Sequence, residues 1–274
     1  MKSVRIEKLV IYPIKSCGAL DVPEFVLGEE GPFVHLGQHQ VGDREWMIAG
    51  PTGEMFTQRQ VSRMSLLTLK IENEKLWIKV SEKYFEVPFA SPLDRRMTVR
   101  VHGTPIEASI CETEALNKAL SEFLAEPCLL VHFDQKSERE ATKKGEGLGV
   151  QTRFTDTSPY LVLSQESLDD LNSKMEKKIG LERFRGNIIV SGGEVFGEDH
   201  WPILKSGKVT LENSKACGRC VVTTIDPLLG KVDGKDPLKT LAKFRRDGSN
   251  VFFGQYFITK SFGAVLRVGD VLEF

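Results

Sequence analysis

The sequence lacks both a long apolar segment and an excess of charge of either sign. Its 274 residues include 37 Lys and Arg against 38 Asp and Glu, a formal net charge of -1. Nonspecific nucleic-acid binding requires a strong basic excess, and a membrane helix requires about 20 consecutive apolar residues. Residues 1–6 contain no apolar core of a secretion signal. We therefore expect a cytoplasmic protein that binds neither nucleic acid nor membranes.

Cysteine is also scarce, and the five residues are Cys17, Cys111, Cys128, Cys217 and Cys220. A sparse and odd-numbered set does not build the disulfide framework of a small secreted domain, and it indicates a reducing compartment. Two of the cysteines form the pair Cys217-Gly218-Arg219-Cys220. A guanidinium beside a thiol favours the thiolate, which is the form that attacks or coordinates. The pair therefore predicts either redox chemistry or a ligand for a soft metal.

Two interpretations of this pair lack part of their usual pattern. A structural zinc site takes four ligands, yet the sequence has no second Cys-x-x-Cys. His35 and His39 lie four residues apart in a segment flanked by glycine and proline, which need not be helical. A thioredoxin-like pair opens a helix, whereas the β-branched residues after Cys220 predict a strand over residues 220–225. We therefore favour a third interpretation, in which a thiolate binds the metal of a cofactor.

Apolar alternation and turn residues predict a β-rich α+β protein. Residues 1–110 show short strands at hairpin spacing, which is typical of a barrel or a sandwich. Thr113 predicts the cap of a first helix, Ser164 the cap of a second helix that ends at Gly180, and Asp236-Pro237 the start of a third. The polar segment 135–148 predicts a mobile loop, either a hinge between domains or a lid over a site.

A metal-bearing cofactor usually carries phosphate, so anion-binding residues should accompany the cysteine pair. Lys15-Ser16 follows a strand, as a loop with free backbone N–H groups would. Arg185 lies just before a predicted buried strand, and Arg44 and Arg219 add further positive charge. Each of these residues alone is more often a solvated charge or a salt-bridge partner. Their combination and their sequence contexts favour an anion site.

Six short motifs occur in an order that resembles one known family. They are Tyr12-Pro13-Ile14-Lys15-Ser16, Asp156-Thr157-Ser158-Pro159, Phe184-Arg185-Gly186-Asn187, Glu198-Asp199-x-Trp201, Cys217-x-Arg219-Cys220-x-x-Thr223-Thr224-x-Asp226-Pro227 and Phe253-Gly254-Gln255-Tyr256. The set resembles the MOSC-domain proteins with an N-terminal β-barrel domain, the group of the mitochondrial amidoxime-reducing components and their bacterial relatives. The resemblance implies a MOSC N-terminal β-barrel domain at 1–120. It also implies a molybdenum-cofactor-binding MOSC domain at 121–274, a mixed β-barrel with a few helices.

The resemblance also implies a molybdenum cofactor of the molybdopterin type. Cys220, not Cys217, matches the protein ligand to molybdenum and is the implied catalytic residue. The positions that match the surroundings of the pterin, its phosphate or the metal are Lys15, Ser16, Arg44, Thr157, Ser158, Arg185, Arg219 and Tyr256. Asn187 joins them by position only. We expect no iron–sulfur cluster, haem or pyridoxal phosphate in this chain.

The implied activity is the reduction of small N-hydroxylated compounds such as amidoximes and hydroxylamines. Because the chain offers no cysteines for a cluster beyond Cys220, its electrons are expected from a separate ferredoxin- or cytochrome b5-like protein. We expect a monomer. The alternative is a non-catalytic carrier of molybdenum cofactor or of persulfide sulfur on Cys220. Turnover of an N-hydroxylated substrate distinguishes the two hypotheses.

Overall fold

A computed structural model describes residues 2–89, 95–143 and 146–274, and these residues form mainly short strands. The strands, in chain order, are β1 (Ser3–Ile11), β2 (Leu20–Val22), β3 (Glu24–Leu27), β4 (Pro32–Leu36), β5 (His39–Gly42), β6 (Trp46–Ala49), β7 (Thr68–Glu72), β8 (Lys75–Val80), β9 (Lys83–Glu86), β10 (Arg96–Val101), β11 (Thr104–Ile110), β12 (Leu129–His132), β13 (Glu140–Lys143), β14 (Glu146–Gln151), β15 (Tyr160–Ser164), β16 (Ile188–Ser191), β17 (Ile203–Ser206), β18 (Val209–Gly218), β19 (Ile225–Asp226), β20 (Lys231–Val232), β21 (Arg246–Asp247), β22 (Asn250–Thr259), β23 (Val265–Arg267) and β24 (Val271–Glu273). The α-helices are α1 (Glu114–Leu124), α2 (Gln165–Ser173) and α3 (Leu238–Leu241). Short 3-10 helices span Ser62–Leu66, Leu181–Phe184, Gly197–His200 and Val221–Thr224.

Seven strands form a closed barrel in the order β15, β16, β1, β24, β17, β18 and β22. The barrel closes where β22 pairs with β15, with Tyr160 opposite Phe257. β1, which lies near residue 1 of the sequence, is placed in this barrel between β16 and β24. The predicted β-rich α+β class, with a barrel and a few helices, is confirmed.

The burial of β1 changes halfway along the strand. Val4 and Ile6 are buried in alternation with exposed neighbours, whereas Leu9, Val10 and Ile11 are all buried. The pairing register with β16 shifts between Ile6 and Lys8. A bulge of this kind re-aims the side chains that follow it, because strand side chains alternate with a period of two. The second half of β1 is thus covered on both faces and leads into the cavity at Lys15.

β15, α2 and β16 form a parallel β–α–β unit within the barrel. Ser164 caps α2 as predicted, because its Oγ accepts a hydrogen bond from the Ser167 N–H at 3.4 Å. The predicted end at Gly180 is wrong, since the helix stops at Ser173. The first helix is confirmed after Thr113, and its buried face holds Leu116, Leu120 and Leu124.

The remaining strands form smaller sheets, mostly from the first half of the chain. Their orders are β10-β11-β12-β6, β23-β3-β4-β5 and β7-β8-β9. β12 pairs with both β6 and β11, so it joins strands that precede residue 120. The predicted boundary between residues 120 and 121 falls within α1 and stays a prediction.

Two further predictions on local structure are wrong. Residues 220–225 do not form a strand: β18 ends at Gly218, and a 3-10 helix follows over Val221–Thr224. The segment 135–148 is not simply a loop, because β13 and β14 form a hairpin of their own. Residues 144 and 145 lie outside the described residues. Among the residues that the structure describes, no helix is long and apolar enough to span a bilayer.

Candidate active site

One cavity brings together nine of the ten predicted site residues. They are Lys15, Ser16, Arg44, Ser158, Arg185, Asn187, Arg219, Cys220 and Tyr256. They come from the segment after β1, the turn between β5 and β6, the chain just before β15, the approach to β16, the residues just after β18 and the middle of β22. Thr157 does not line the cavity, but its Oγ1 is buried without a hydrogen-bond partner among the described residues. Residues 135–141 of the polar segment do not line the cavity.

Three of the cavity residues have a left-handed backbone conformation without being glycine. Ser16, Arg44 and Arg185 have φ values of 66°, 50° and 56°. Each such residue costs on the order of 1 kcal/mol, and strain of this kind clusters at functional sites where the surroundings enforce it. A hydrogen bond from the Arg44 N–H to the Tyr12 carbonyl (2.8 Å) and one from Gln58 Nε2 to the Ser16 carbonyl (2.7 Å) hold this part of the wall.

Tyr12 lies between two guanidinium groups of the wall. Its ring centroid is 4.4 Å from Cζ of Arg44 and 4.2 Å from Cζ of Arg185. Burial raises the pKa of Tyr12 to about 12, against the opposing effect of the two cations, so the phenol stays neutral. The fully buried Asp43 pairs with Arg44 and accepts a hydrogen bond from the Tyr12 N–H at 2.8 Å. The two like charges are therefore held close by one ring and one carboxylate.

Two arginines of the cavity wall each retain one buried nitrogen that no described residue satisfies. Arg185 donates to the Cys17 carbonyl at 2.8 Å, and Arg219 donates to the Phe184 and Phe253 carbonyls at 2.7 and 2.8 Å. Nη2 of Arg185 and Nη2 of Arg219 are buried without a hydrogen-bond partner in the described chain. A buried, unsatisfied cationic donor is costly, so both nitrogens indicate an anionic or strongly accepting ligand.

Lys15 supplies a third buried cation. Its side chain is almost fully buried, and Nζ donates to the Phe154 carbonyl at 2.8 Å and to Asp156 Oδ1 at 2.6 Å. Burial lowers the pKa of Lys15, and the charge of Asp156 opposes that effect. Although desolvation raises the pKa of Asp156, the charge of Lys15 and a hydrogen bond from His102 hold it well below its usual range. Asp156 is therefore ionised at neutral pH and keeps Lys15 in place.

Cys220 lies at the mouth of the cavity and is partly exposed. It immediately precedes the 3-10 helix, and its carbonyl accepts hydrogen bonds from the Thr223 N–H (3.1 Å) and Oγ1 (3.0 Å). Its sulfur accepts a hydrogen bond from Nε of Arg59 at 3.4 Å. Sequence reasoning missed Arg59, which stands in none of the six motifs.

The second cysteine of the pair is in a different environment. Cys217 lies on β18 and is almost fully buried, and burial raises the pKa of its thiol. Burial likewise raises the pKa of its hydrogen-bonding neighbour Tyr256 well above its usual range. Both groups are therefore neutral at physiological pH. The two cysteines are not equivalent, and Cys220 is the accessible sulfur.

The composition of the wall limits what the cavity can bind. Six of its residues are cations, namely Lys15, Arg44, Arg59, Arg183, Arg185 and Arg219, against the single carboxylate Asp156. Among the described residues, there is no cluster of three or more His, Cys, Asp or Glu side chains that could hold a bare metal ion. The cavity thus suits an anionic ligand, and a metal only if the metal arrives with most of its own ligands.

Two other residues of the six motifs contribute to the site, Tyr12 in contact with the wall arginines and Asp156 in the wall itself. Tyr12 and Asp156 open the first and second motifs, and their stacking and ion pairing appear only in the structure. In the β4–β5 hairpin, His35 pairs with Gln40 and His39 pairs with Leu36, and neither histidine lines the cavity.

Comparison with protein-family models identifies two matching regions. The MOSC N-terminal beta barrel domain matches residues 3–127, and the MOSC domain matches residues 149–273. Mitochondrial amidoxime-reducing component 1 of Homo sapiens is 36% identical over 97% of this chain and 81% of its own. The chain belongs to the amidoxime-reducing component family of MOSC-domain proteins. The resemblance drawn from the six motifs is thereby confirmed.

A second relative is similar over the same share of this MOSC-domain protein, and one solved structure covers a smaller part of it. Mitochondrial amidoxime reducing component 2 of Rattus norvegicus is 35% identical over 97% of this chain and 81% of its own. Among solved structures, YiiM from Geobacillus stearothermophilus covers 42% of this chain and 53% of its own, with 16% identity and a TM-score of 0.31.

The cavity of the MOSC-domain protein is lined by both matched regions. Lys15, Arg44 and Arg59 lie within the N-terminal match, whereas Arg185 and Cys220 lie within the MOSC match. Neither region alone supplies all six cations of the cavity wall. The site therefore depends on the contact between the two regions of the chain.

Proposed function

We propose that this protein is a molybdenum-cofactor-dependent reductase of N-hydroxylated compounds such as amidoximes and hydroxylamines, supplied with electrons by a separate redox protein. One observation carries the proposal: a partly exposed cysteine sulfur stands at the mouth of a cation-lined cavity whose buried Arg185 and Arg219 nitrogens lack partners among the described residues. The printed names of the relatives support the activity. The cytoplasmic location and the monomeric state stay predictions.

The residues present fit a molybdopterin-type cofactor. Such a cofactor brings sulfur ligands for its metal, so a single protein thiolate, that of Cys220, completes the metal's sulfur ligands. Its phosphate requires several charge-assisted donors, and the free nitrogens of Arg185 and Arg219 are available for that task. Lys15 and Arg44 add positive charge from the region that matches the N-terminal beta barrel domain. In this assignment, Ser16, Ser158, Asn187, Thr157 and Tyr256 complete the surroundings of the pterin.

The reduction consumes two electrons and two protons for each N–O bond, and it releases the reduced nitrogen compound and water. When bound, the molybdenum centre supplies the two-electron redox change for that cleavage. Asp156 stays ionised beside Lys15, so it holds that lysine and does not donate the protons. The protons therefore come from solvent at the open side of the cavity, where Arg59 and Cys220 are accessible. Arg59 keeps a positive charge at the sulfur while the substrate approaches.

A carrier of cofactor or of persulfide sulfur would also use Cys220. Cys217 cannot share that task as a thiolate, because burial raises the pKa of its thiol. The two functions differ in turnover, since only a reductase consumes an N-hydroxylated substrate.

The test compares wild type with Cys220→Ser, both purified from a host that makes molybdenum cofactor. We expect wild type to contain molybdenum and pterin and to reduce benzamidoxime with reduced methyl viologen. We expect Cys220→Ser to lose that turnover. Cys217→Ala is the matched control and should keep the rate within about threefold. Wild type without molybdenum and pterin would contradict the proposal, and persulfide on Cys220 without turnover would favour the carrier.

A further inference from the structure

Four apolar side chains are exposed in the short segment that follows Cys220. Val221, Leu228, Leu229 and Val232, here called the docking face, have exposed fractions of 44%, 85%, 55% and 56%. They come from the 3-10 helix at 221–224 and from the short β19–β20 hairpin. Single exposed apolar residues are normal, but four in one short segment directly after the cysteine of a functional cavity indicate an interaction site.

A groove joins the docking face to the cavity. Val221 and Val232 line this groove together with Lys235, Lys239 and Arg246. Arg219 lines both the groove and the cavity, so the two adjoin at this residue. Val221 is also bonded directly to Cys220. An electron that enters at the docking face therefore has one peptide unit to cross before it reaches the cysteine.

The rim of the groove is positively charged. Lys235, Lys239 and Arg246 line the groove and are exposed. Lys231 and Lys243 are exposed and directly adjoin lining residues in sequence, and within the described chain none of the five forms an ion pair. The nearby carboxylates are mostly occupied: Asp226 and Asp233 pair with Arg183 and Lys177. Asp247, at the far edge, is the exposed acid of this surface. The rim is therefore complementary to a partner with an acidic surface.

We propose that the docking face binds an acidic electron-carrier protein and receives its electrons for the reduction at the cavity. The proposal rests on the proposed function and names the surface and the charge of the donor. The donor is oxidised, and for each N–O bond it delivers two electrons, which a one-electron carrier supplies in two encounters. Apolar contact at Leu228 and Leu229 provides close approach, while the basic rim steers the acidic partner. Redox encounters of this kind are small and transient, with less than about 1,200 Å² buried.

The test uses charge reversal at the rim. In Lys235→Glu/Lys239→Glu, both side chains are exposed and outside the cavity wall, so the fold and the cofactor site should be unaffected. With a reduced acidic [2Fe–2S] ferredoxin as donor at low salt, we expect the double variant to raise the KM for ferredoxin by about tenfold or more. Turnover with reduced methyl viologen should stay within about twofold of wild type. Equal losses with both donors, or no loss with either, would overturn the proposal.

The control for position is Lys208→Glu, which reverses one charge where the double variant reverses two. Lys208 is an exposed lysine just before β18, whereas Gly218 ends that ten-residue strand at the Cys220 side. A strand of this length spans about 33 Å, so Lys208 is far from the docking face. We expect the KM for ferredoxin to be unchanged in this variant. A loss equal to that of the double variant would mean that net charge, not the docking face, controls the encounter.

Direct binding separates this proposal from the proposed function. Calorimetric titration of wild type with ferredoxin should give binding that salt weakens and that Lys235→Glu/Lys239→Glu abolishes. Leu228→Ser, at an 85% exposed position, should weaken it without a change in stability. A basic protein of similar size, cytochrome c, should not bind. If wild type shows no viologen-driven turnover, the proposed function fails while this titration still decides the docking face. A wild-type dimer that Leu228→Ser dissociates would assign the face to self-association instead.

Discussion

Nε of Arg59 donates a hydrogen bond to the sulfur of Cys220 across 3.4 Å, although the two residues are 161 positions apart in the chain. Arg59 is exposed, and its neighbour Gln58 is fixed by a hydrogen bond to the Ser16 carbonyl. The cation at the accessible sulfur is therefore supplied by the N-terminal matched region and held by the same wall that carries Lys15.

Replacing Arg59 with glutamine should lower the turnover of benzamidoxime about ten- to a hundredfold. A hydrogen bond to a charged group contributes about 1.5–3 kcal/mol, which corresponds to that range of rates. Molybdenum and pterin content should stay near wild type, because Arg59 is not one of the buried unsatisfied donors. The Arg59→Lys variant keeps the charge without the Nε donor, so its rate should be intermediate. Arg63→Gln is the control, since Arg63 lies over Phe123, outside the cavity wall. A wild-type rate in Arg59→Gln would remove Arg59 from the site.

Arg185 and Arg183 line the same cavity but differ in what their guanidinium groups contact. Nη2 of Arg183 is occupied by Asp226 at 3.3 Å and Asp233 at 2.9 Å, whereas Nη2 of Arg185 has no partner among the described residues. Arg185→Gln should therefore weaken cofactor retention about ten- to a hundredfold, the effect of losing one charge-assisted contact. Arg183→Gln should instead lower the free energy of unfolding and retain the pterin. Pterin fluorescence after dialysis and urea unfolding measure the two effects, and equal pterin loss in both variants would contradict this division.

Glu198 should make the protein less stable as the pH rises. Its side chain is fully buried, Oε2 accepts a hydrogen bond from Ser167 Oγ at 2.8 Å, and Oε1 has no partner among the described residues. Burial raises its pKa from 4.5 to about 7. Between these values the folded protein keeps the proton that the unfolded chain loses, so the free energy of unfolding falls with rising pH. The fall is complete above pH 7 and amounts to about 3 kcal/mol.

Urea unfolding of Glu198→Gln at pH 5 and pH 8 tests this prediction. The amide oxygen can accept from Ser167 Oγ and never ionises, so the variant should be more stable than wild type at pH 8. The advantage should shrink at pH 5. Glu176→Gln, at an exposed position, is the control and should follow the wild-type curve. A Glu198→Gln curve parallel to that of wild type at both pH values would refute the assignment.

The wrong prediction of a strand at residues 220–225 has a local physical cause. Val221, Val222, Thr223 and Thr224 all favour strands, so a pattern of propensities predicts a strand. In the structure, Oγ1 of Thr223 donates to the Cys220 carbonyl at 3.0 Å, and Oγ1 of Thr224 donates to the Val221 carbonyl at 2.7 Å. These hydroxyls offer the backbone a local alternative to strand pairing. Propensity cannot reveal this, because it does not say where a hydroxyl group points.

The second helix illustrates the same limit. Its cap at Ser164 and its buried Leu168 and Leu171 follow from sequence, but its end does not. Asn172 accepts a hydrogen bond from the Ile179 N–H and donates one to the Ile179 carbonyl, both at 2.9 Å. This pair of bonds closes residues 174–178 into a loop after the helix, although apolar spacing continues to Ile179. Contacts between residues that are far apart in sequence are harder still to predict. Most of the cations in the cavity wall could be predicted as individual residues, whereas the hydrogen bond between Arg59 and Cys220 could not.

The position of β1 in the barrel governs the order of events during synthesis. Ser3 pairs with Glu273 across β1 and β24, so this seam joins two segments that are made far apart in time. At about 5–20 residues per second, the seam stays open for roughly 10–50 s after β1 has left the ribosome. Arg185 and Cys220 are made during that interval, but they stand in a closed barrel only after residues 271–273 have appeared. The barrel that positions Arg185 and Cys220 therefore closes after both residues have been made, and the complete cavity wall forms no earlier than β24.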